Sequence, residues 1–291
     1  MLEEFNRFFV EPLSAPYVQQ ALIEIIILSL VVGVLGSYVV LRGLSFLSLA
    51  LSHAIFPGVV LSALLGFNFL LGSLVVGVLV SLLIGVASRN ARVGHDSAIG
   101  SIYTGAFAVG IVLISYAGLN RRLSEFLFGR LFGVGWDDII ITAAIAILVL
   151  GLLWAARKEL LLLSFDRNMA QAQGLSVNWL ELGFLTLMAL VVVVSLPAVG
   201  NIQIVALLVT SPATARLLTD QLRPMMFISG LLALFGGVFG ILLAVRLNLV
   251  PGATVVVVLT VIFMLAYFFS PKHGLLAQFF SRHSISSTPS V

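Results

Sequence analysis

A single histidine in an apolar segment, His53, is the residue of this sequence best placed to do chemistry. It lies within LSLALSHAIFPG, residues 47–58. At 100° per residue on a helix, it shares an arc of about 140° with Ser45, Ser48 and Ser52, a polar face that we expect to look into a helical bundle. Imidazole binds zinc, manganese or iron, but one imidazole cannot hold a metal by itself. The segment therefore indicates either a metal pathway or a histidine that is hydrogen-bonded to a neighbouring helix.

Prolines and glycines mark the places where helices near this histidine are expected to break. Pro57 and Gly58 would expose backbone carbonyls, which lipid tolerates only where protein or water satisfies them. Pro212 cannot continue a regular hydrogen-bond ladder. The predicted helix breaks are Pro57, Gly58, Pro212, Pro251 and Gly252.

The composition requires a lipid environment. Of the 291 residues, 60% are hydrophobic and 9% are charged, whereas soluble proteins carry roughly 25% charged residues. The apolar residues come in blocks of about 20, the length of helix that crosses a hydrocarbon core. The sequence has no cysteine, which excludes disulfides, thiolate metal sites and thiol catalysis. The small net charge of +3 is scattered through short loops, so nucleic-acid binding is not expected.

The apolar blocks predict an all-α fold, a polytopic integral membrane helical bundle of about nine transmembrane helices, with eight as the alternative. The expected spans are 20–41, 44–66, 68–88, 97–117, 137–156, 177–199, 201–219, 224–246 and 251–270. The least secure is 201–219, which holds Asn201, Gln203 and the Ser211-Pro212 pair. We expect this span to be a broken or re-entrant helix.

The charged loops set the expected orientation and boundaries. Lys and Arg are enriched on the cytoplasmic side of membrane proteins, and an outside N-terminus with a cytoplasmic C-terminus places ten of the fifteen inside. The expected organisation is a juxtamembrane segment at 1–19, one transmembrane domain at 20–270 and a flexible cytoplasmic tail at 271–291. The N-terminal segment is acidic and interrupted by prolines, unlike a cleaved signal, so we expect it to remain on the mature protein.

Two stretches between the spans are candidates for docking to other proteins. The first, 119–135, is basic yet falls outside in this orientation, and its Arg121, Arg122 and Arg130 are expected to meet carboxylates of an outer partner. The second, 164–183, is polar and falls on the cytoplasmic side.

The second stretch has the signals of a short capped helix. Ser164 or Asp166 can cap a helix that runs through Met169 to Gln173, and Gly174 can end it. Such a segment is either an ordinary solvated loop or a docking helix for a soluble partner. No phosphate-binding glycine loop is visible, so the chain has no apparent ATP-hydrolysing machinery of its own and is not expected to be an enzyme.

Six segments in a fixed order carry a resemblance to a known family. They are VVLRGLSFLSLALSHAIFPGVVLS at 39–62, DSAIGSIYTGAFAVGIVLI at 96–114, EFLFG at 125–129, SFDRNMAQAQGLSV at 164–177, VGNIQIVALLVTSPATARLL at 199–218 and VPGATVVVVL at 250–259. With these segments the sequence resembles, from about residue 20 to 270, the permease subunits of zinc- and manganese-type metal-uptake ABC importers.

The resemblance implies a fold like that of type II ABC importers and a homodimer of permeases around a central path. It also implies two copies of a separate ATPase below, a metal-binding protein above, and a location in the plasma (inner) membrane. The transported substrate would be manganese or zinc, or else iron, with no permanently bound cofactor. His53 matches the histidine of the metal path, and the segment 164–177, with Phe165, Asp166, Ala170 and Gly174, matches the helix that couples to the ATPase.

Two departures from the family pattern leave the metal path open. Members usually carry Asp one helical turn before the histidine, where this sequence has Leu49, so a carboxylate and an imidazole cannot share an ion there. Either Ser52, Asn201 or Gln203 helps to bind the metal, or the metal passes with almost no side-chain coordination. The family also tends to have Pro followed by a small residue where this sequence has Ser211-Pro212, which shifts the expected helix break by one position.

Two other functions remain as alternatives. One is a permease of the same architecture for a metal chelate or a cobalamin-like cargo, for which a path without a carboxylate is less surprising. The other is an ATPase-independent secondary transporter, a class that usually places acidic residues or repeated broken helices at the membrane midplane.

Overall fold

The computed structural model describes residues 14–88, 92, 94–117, 128–270 and 274–275, and this part of the chain is helical without any strand. Its α-helices are α1 (Pro16–Leu41), α2 (Ser45–Ala54), α3 (Phe56–Leu65), α4 (Phe69–Ala87), α5 (His95–Ala117), α6 (Trp136–Ala155), α7 (Arg157–Phe165), α8 (Arg167–Ala172), α9 (Val177–Leu218), α10 (Leu222–Leu247) and α11 (Pro251–Phe269). One turn of 3-10 helix, Leu131–Gly133, precedes α6. The predicted all-α bundle is confirmed.

Eight helices in the described ranges are long and apolar enough to cross a membrane, with α2 and α3 counted as one continuous span, Ser45–Leu65. The count by helix is therefore eight, the alternative stated above, although one of these helices contains two of the nine expected spans. The sixth of these helices, α9, has 42 residues and contains both of the expected spans 177–199 and 201–219. At 1.5 Å per residue a straight helix of that length would be about twice as long as the hydrocarbon core is thick.

The backbone of α9 leaves the helical region at Gly200, where φ is 76° and ψ is 167°, and the chain turns back there. The contacts with α1 show the reversal. Arg42 lies 4.7 Å from the ring of Phe184, and Gly36 packs against the carbonyl of Leu208. In a straight helix Phe184 and Leu208 would be about 36 Å apart, whereas Gly36 and Arg42 are only about 9 Å apart along α1. The two halves of α9 therefore run antiparallel beside α1.

The expected break at Pro212 is wrong, because Pro212 lies inside the second half of α9 and the interruption is at Gly200. Proline removes the N–H that would bond to the carbonyl four residues earlier, which is that of Leu208. This carbonyl lies against Gly36, where an added Cβ would come within 2.8 Å of the oxygen. The bare backbone of α1 covers the freed carbonyl, so the helix continues through the proline.

The expected break at Pro57 and Gly58 is displaced and slight. α2 and α3 are separated by Ile55 alone, whose φ of −73° and ψ of −17° remain near helical values, and Pro57 lies in the first turn of α3. Gly58 lies inside α3, where a Cβ would come within 2.5 Å of the carbonyl oxygen of Gly72. Gly58 therefore permits close packing of α3 on α4 and does not break the helix.

Pro251 and Gly252 also differ from the expectation. Pro251 is the first residue of α11, where its missing N–H costs nothing. Gly252 lies inside the helix, and a Cβ there would come within 2.9 Å of the carbonyl oxygen of Phe128. Pro251 therefore starts α11, and the absence of a side chain at Gly252 lets the segment before α6 pack closely against that helix.

The bundle has two ends, which we call the Gly200 end and the Arg42 end. At the Gly200 end, the ring of Tyr17 in α1 packs on that of Phe132 at 5.4 Å, and the backbone N–H of Arg130 donates to the carbonyl of Pro197 at 3.1 Å. At the Arg42 end, the hydroxyl of Ser270, after α11, donates to the carbonyl of Leu217. The first spanning helix thus begins at one end, and the last finishes at the other.

Candidate metal path and coupling surface

His53 lies on the surface of the single chain and not in the interior of its bundle. Its ring meets that of Phe107 in α5 edge-on, with centroids 5.6 Å apart, and the side chain is half-buried. Leu49, one turn earlier, is 38% exposed, whereas Ser48 and Ser52 are completely buried. The polar face of α2 is therefore divided. The serines look into the bundle as expected, but the imidazole lies at its edge.

The hydrogen bonds of His53 fix which ring nitrogen is free to bind a metal. Nδ1 lies 3.0 Å from the carbonyl oxygen of Leu49 and 3.3 Å from Oγ of Ser52. Because a carbonyl oxygen only accepts, Nδ1 must carry the proton of the neutral ring, and Nε2 presents a lone pair. An imidazole held in this way by a backbone carbonyl is the usual arrangement of a metal ligand.

The backbone carbonyl next to the imidazole departs from the regular helical hydrogen-bond pattern. Pro57 has no N–H, so the carbonyl of His53, four residues earlier, lacks its regular helical donor. Ser52 does not contribute a free hydroxyl proton, since its Oγ donates to Leu49 at 2.7 Å. The ligand that α2 offers at this level is thus the Nε2 lone pair, because the N–H of Ile55 already donates to the carbonyl of His53.

Asn201 and Gln203 follow immediately after the reversal of α9, at the Gly200 end. Both side chains are buried, and neither amide has a hydrogen-bond partner in the described ranges. A Cβ at Gly252 would lie 3.1 Å from Oε1 of Gln203, so this amide packs directly on the start of α11. A buried amide without a partner costs about 1–3 kcal/mol, which makes these two residues candidates for binding a polar ligand.

The structure does not bring the predicted ligands together within one chain. No contact joins His53 to Asn201 or Gln203 among the residues described, and these residues contain no group of three or more His, Asp or Glu side chains that could hold a metal. Within the described part of the chain, His53 is therefore the only predicted side-chain ligand on α2 that is free to bind a metal.

The predicted capped helix is present at the Arg42 end as α8. Oδ1 of Asp166 accepts from the N–H of Met169 at 2.9 Å, so Asp166 is the N-cap. Ser164 is not the cap, because its hydroxyl donates to the carbonyl of Leu160. Gly174 has a φ of 80°, which favours glycine after a helix.

The two apolar residues of this segment point in opposite directions. Ala170 is completely buried on a small core with Leu163 and Val177, whereas Phe165 is 75% exposed. Ala170 therefore anchors α8 to the bundle, and Phe165 is free to contact another protein.

A charged network that sequence reasoning missed ties α8 to α9 and α1. Nη1 of Arg167 lies 2.7 Å from Oε1 of Glu181, and Nη2 of Arg42 lies 3.8 Å from the same oxygen. Burial lowers the pKa of the Arg42 guanidinium, and the Glu181 carboxylate opposes that change. The clue in the sequence was that both Arg42 and Glu181 lie close to span ends, where a charge needs a partner.

Of the outer basic residues, Arg121 and Arg122 lie outside the described residues. Arg130 is exposed at the Gly200 end. Gly129 beside it has a φ of 67°, and a Cβ there would come within 2.6 Å of the carbonyl oxygen of Ala198. Arg130 is thus held next to the reversal of α9 by a backbone contact that only glycine permits.

Comparison with known proteins gives a consistent picture. Residues 14–270 match the family described as the ABC 3 transport family. The manganese transport system membrane protein MntC of Halalkalibacterium halodurans is 39% identical over 279 residues, which cover 96% of each chain. A probable iron transport system membrane protein of Haemophilus influenzae is 32% identical over 90% of this chain and 97% of that one.

One solved structure is similar over nearly all of the chain. It is that of PsaBC from Streptococcus pneumoniae in complex with Fab. The similarity has a TM-score of 0.83 at 33% identity, and it covers 97% of this chain and 100% of the other.

Proposed function

Because the chain belongs to the ABC 3 transport family, we propose that it is the membrane-spanning subunit of an importer that carries manganese into the cell. Membership makes it a metal-uptake permease, a transport component and not a catalyst. The observation in the structure that best supports a role for this chain in binding the metal is the orientation of His53. Its Nδ1 is held by a backbone carbonyl, and its Nε2 is free to bind a metal.

In this proposal the metal path lies between two copies of the chain. One His53 per chain at the bundle surface is an incomplete site, whereas a second copy on the same face would bring a second imidazole opposite the first. Two weak nitrogen ligands, with water completing the shell, suit an ion that must be released again. Asn201 and Gln203 would offer amide oxygens at the Gly200 end, where the ion enters.

Manganese is the favoured cargo because of the relatives and of the ligand types. The first-named relative is a manganese transport protein, and the chain has no thiolate to favour a softer metal. Iron is the second candidate, since a relative of lower identity carries that name. Zinc is the third, because imidazole binds it well.

The proposal also assigns the two ends. The Arg42 end, with α8 and the exposed Phe165 at the end of α7, faces the cytoplasm and a separate ATPase that hydrolyses ATP. The Gly200 end, with Arg130 exposed, faces outwards and a metal-binding protein. The N-terminus is then outside, the C-terminus is cytoplasmic, and the permease domain is the expected 20–270, in the plasma membrane.

Transport by the reconstituted system tests this function. The chain would be placed in liposomes with its ATPase and supplied with the metal-loaded binding protein on the Gly200 side, and uptake of radiolabelled manganese would be followed with and without ATP. We expect uptake to require ATP and to be reduced by excess manganese more than by iron or zinc. Uptake that continues without ATP would instead support a secondary transporter, and uptake of a chelate alone would support the related importer class.

A further inference from the structure

A cavity of about 330 Å³ opens at the Arg42 end, apart from the metal path. It lies where the ends of α1, α4 and α7 meet the beginnings of α5, α8 and α9. Its charged and ionisable lining consists of Arg42, His95, Arg167 and Glu181, and the remainder is mostly leucine. Two guanidiniums and one carboxylate give this lining a net positive charge.

Arg42 is the residue of the lining whose buried hydrogen-bond donors are not all paired. Its side chain is 10% exposed, and its Nη1 is fully buried without a hydrogen-bond partner among the residues described. The nearest recorded carboxylate oxygen, Oε1 of Glu181, is 3.8 Å from Nη2 of Arg42, too far for a hydrogen bond, and the same oxygen is already bonded to Arg167 at 2.7 Å. One carboxylate is therefore shared between two guanidiniums, and a buried charge in that position destabilises the fold unless an anion completes it.

The donors around the cavity select the kind of anion. A guanidinium presents a planar fork of N–H groups that fits phosphate, and such contacts are among the stronger hydrogen bonds in proteins. His95 is the first residue of the 23-residue helix α5, whose N-terminus adds a positive partial charge. The hydroxyls of Ser88 and Ser164 are not available to bind the anion, because each already donates to the backbone carbonyl four residues earlier.

The depth of the cavity indicates where the phosphate comes from. Leu41, the last residue of the first span, lies in its wall. At the same end of the bundle the guanidinium of Arg157 sits 4.9 Å from the ring of Trp154, and exposed tryptophan is typical of the level of lipid headgroups. Basic pockets between helices at that level bind acidic headgroups.

We propose that this cavity binds a phosphate group and that the phosphate belongs to an anionic membrane lipid. The lipid would complete the charge of Arg42 and join the end of α1 to α5 and α8. The binding does not depend on the transported metal, so the site and the proposed transport function stand or fall separately.

The site can be tested on the full chain purified in a neutral detergent and stripped of lipid. Native mass spectrometry and thermal melting would be measured with phosphatidylglycerol, with phosphatidylcholine and with inorganic phosphate. We expect phosphatidylglycerol to stay bound and to raise the melting temperature more than phosphatidylcholine does. Arg42→Gln should weaken this binding about tenfold, the effect of losing one good charge-assisted contact.

A second variant keeps the test decisive if Arg42→Gln does not fold. Glu181→Gln removes the one carboxylate found in the lining among the described residues and should therefore strengthen the binding of phosphatidylglycerol. Arg223→Gln is the matched control, an exposed arginine at the same end but outside the cavity, and should bind like the unaltered chain. If inorganic phosphate protects as well and displaces the lipid, the phosphate site is supported but its source is soluble. Equal binding of both lipids, or no gain in Glu181→Gln, would overturn the proposal.

Discussion

At the scale of single residues, the hydrogen bond of the His53 ring determines which of its nitrogens can bind a metal. Nδ1 donates to the carbonyl of Leu49, so that atom cannot bind a metal, and only Nε2 remains for one. In the proposed path the ligand would therefore be oriented before the ion arrives. Replacement of the imidazole would remove an interaction that no neighbouring side chain among the described residues can supply.

We expect His53→Ala to reduce manganese uptake at least about tenfold, the order of effect seen when the surroundings of a metal ligand are altered, while the protein still assembles. Uptake and melting temperature would be measured on the same preparations. Ser48→Ala is the matched control, since Ser48 is on the same helix but faces the bundle. Undiminished uptake by His53→Ala, or an equal loss in the control, would contradict the role of the imidazole.

Leu49→Asp should have the opposite effect on metal binding. Residues four apart share a helix face, and Leu49 and His53 both lie at the surface of α2, so the new carboxylate would join the imidazole at one ion. We expect tighter manganese binding, measured by calorimetry in detergent, together with slower release. Leu49→Asn provides the neutral comparison. A carboxylate that binds manganese no better than the amide would show that this face does not meet the ion.

The depth of His53 could be predicted from its place in an apolar block, but its exposure could not. Ser48, Ser52 and His53 fall within one arc on the helix. The sequence does not show which part of that arc the neighbouring helices cover. Phe107 of α5 covers only one side of the ring. The missing information is tertiary, and the missing ligands of a site between copies are quaternary.

At the scale of elements, the spans were predictable because apolar blocks and their punctuation are local. The division between 177–199 and 201–219 was placed correctly at Gly200, but the break was assigned to Pro212. A helix can continue through a proline where other groups cover the carbonyl that the proline leaves without a donor. Here that carbonyl, of Leu208, packs against Gly36. That compensation comes from a residue far away in sequence.

The proposed docking of the ATPase at α8 and the neighbouring Phe165 gives a prediction at this scale. Phe165→Ala should reduce stimulation of ATP hydrolysis by the permease without lowering the melting temperature of the permease, because the ring is mostly exposed. The measurement is ATPase activity of the complex with loaded binding protein. Phe235→Ala is the control, an exposed phenylalanine on α10 away from the Arg42 end.

Asp166→Ala should reduce the stimulation through a different cause. It removes the cap from the N–H of Met169 and costs about 1 kcal/mol of helix stability, so α8 frays before it can dock. Gly174→Ala should act in the same direction, because alanine at a φ of 80° is strained. Normal coupling in all three variants would exclude α8 as the docking element.

At the scale of the whole molecule, exposure alone cannot identify the surface that meets a second copy. Lipid accepts apolar side chains as readily as a protein neighbour does, so the exposed residues of α5, α6 and α10 are equally satisfied by the bilayer. A half-buried imidazole within a span is different, because a polar ring facing hydrocarbon costs free energy. The face of α2 that carries Leu49 and His53 is therefore the one that we expect to be covered.

Cross-linking can test that arrangement directly, because the chain has no cysteine of its own. Leu49→Cys places one thiol on the exposed face of α2, and two such thiols near a twofold axis should form a covalent dimer under mild oxidation in native membranes, since a disulfide needs Cα atoms about 4–7 Å apart. Phe227→Cys on α10 is the control. It is exposed and lies near the start of its span, as Leu49 does. The two helices share α9 as a neighbour but otherwise differ, since α10 packs on α1 and α11 and α2 packs on α5. We expect Leu49→Cys to give dimers, in a yield that changes when manganese is added, and Phe227→Cys to remain monomeric. If a longer bis-maleimide also leaves Leu49→Cys monomeric, or links both variants equally, the metal path does not lie between two copies at this face.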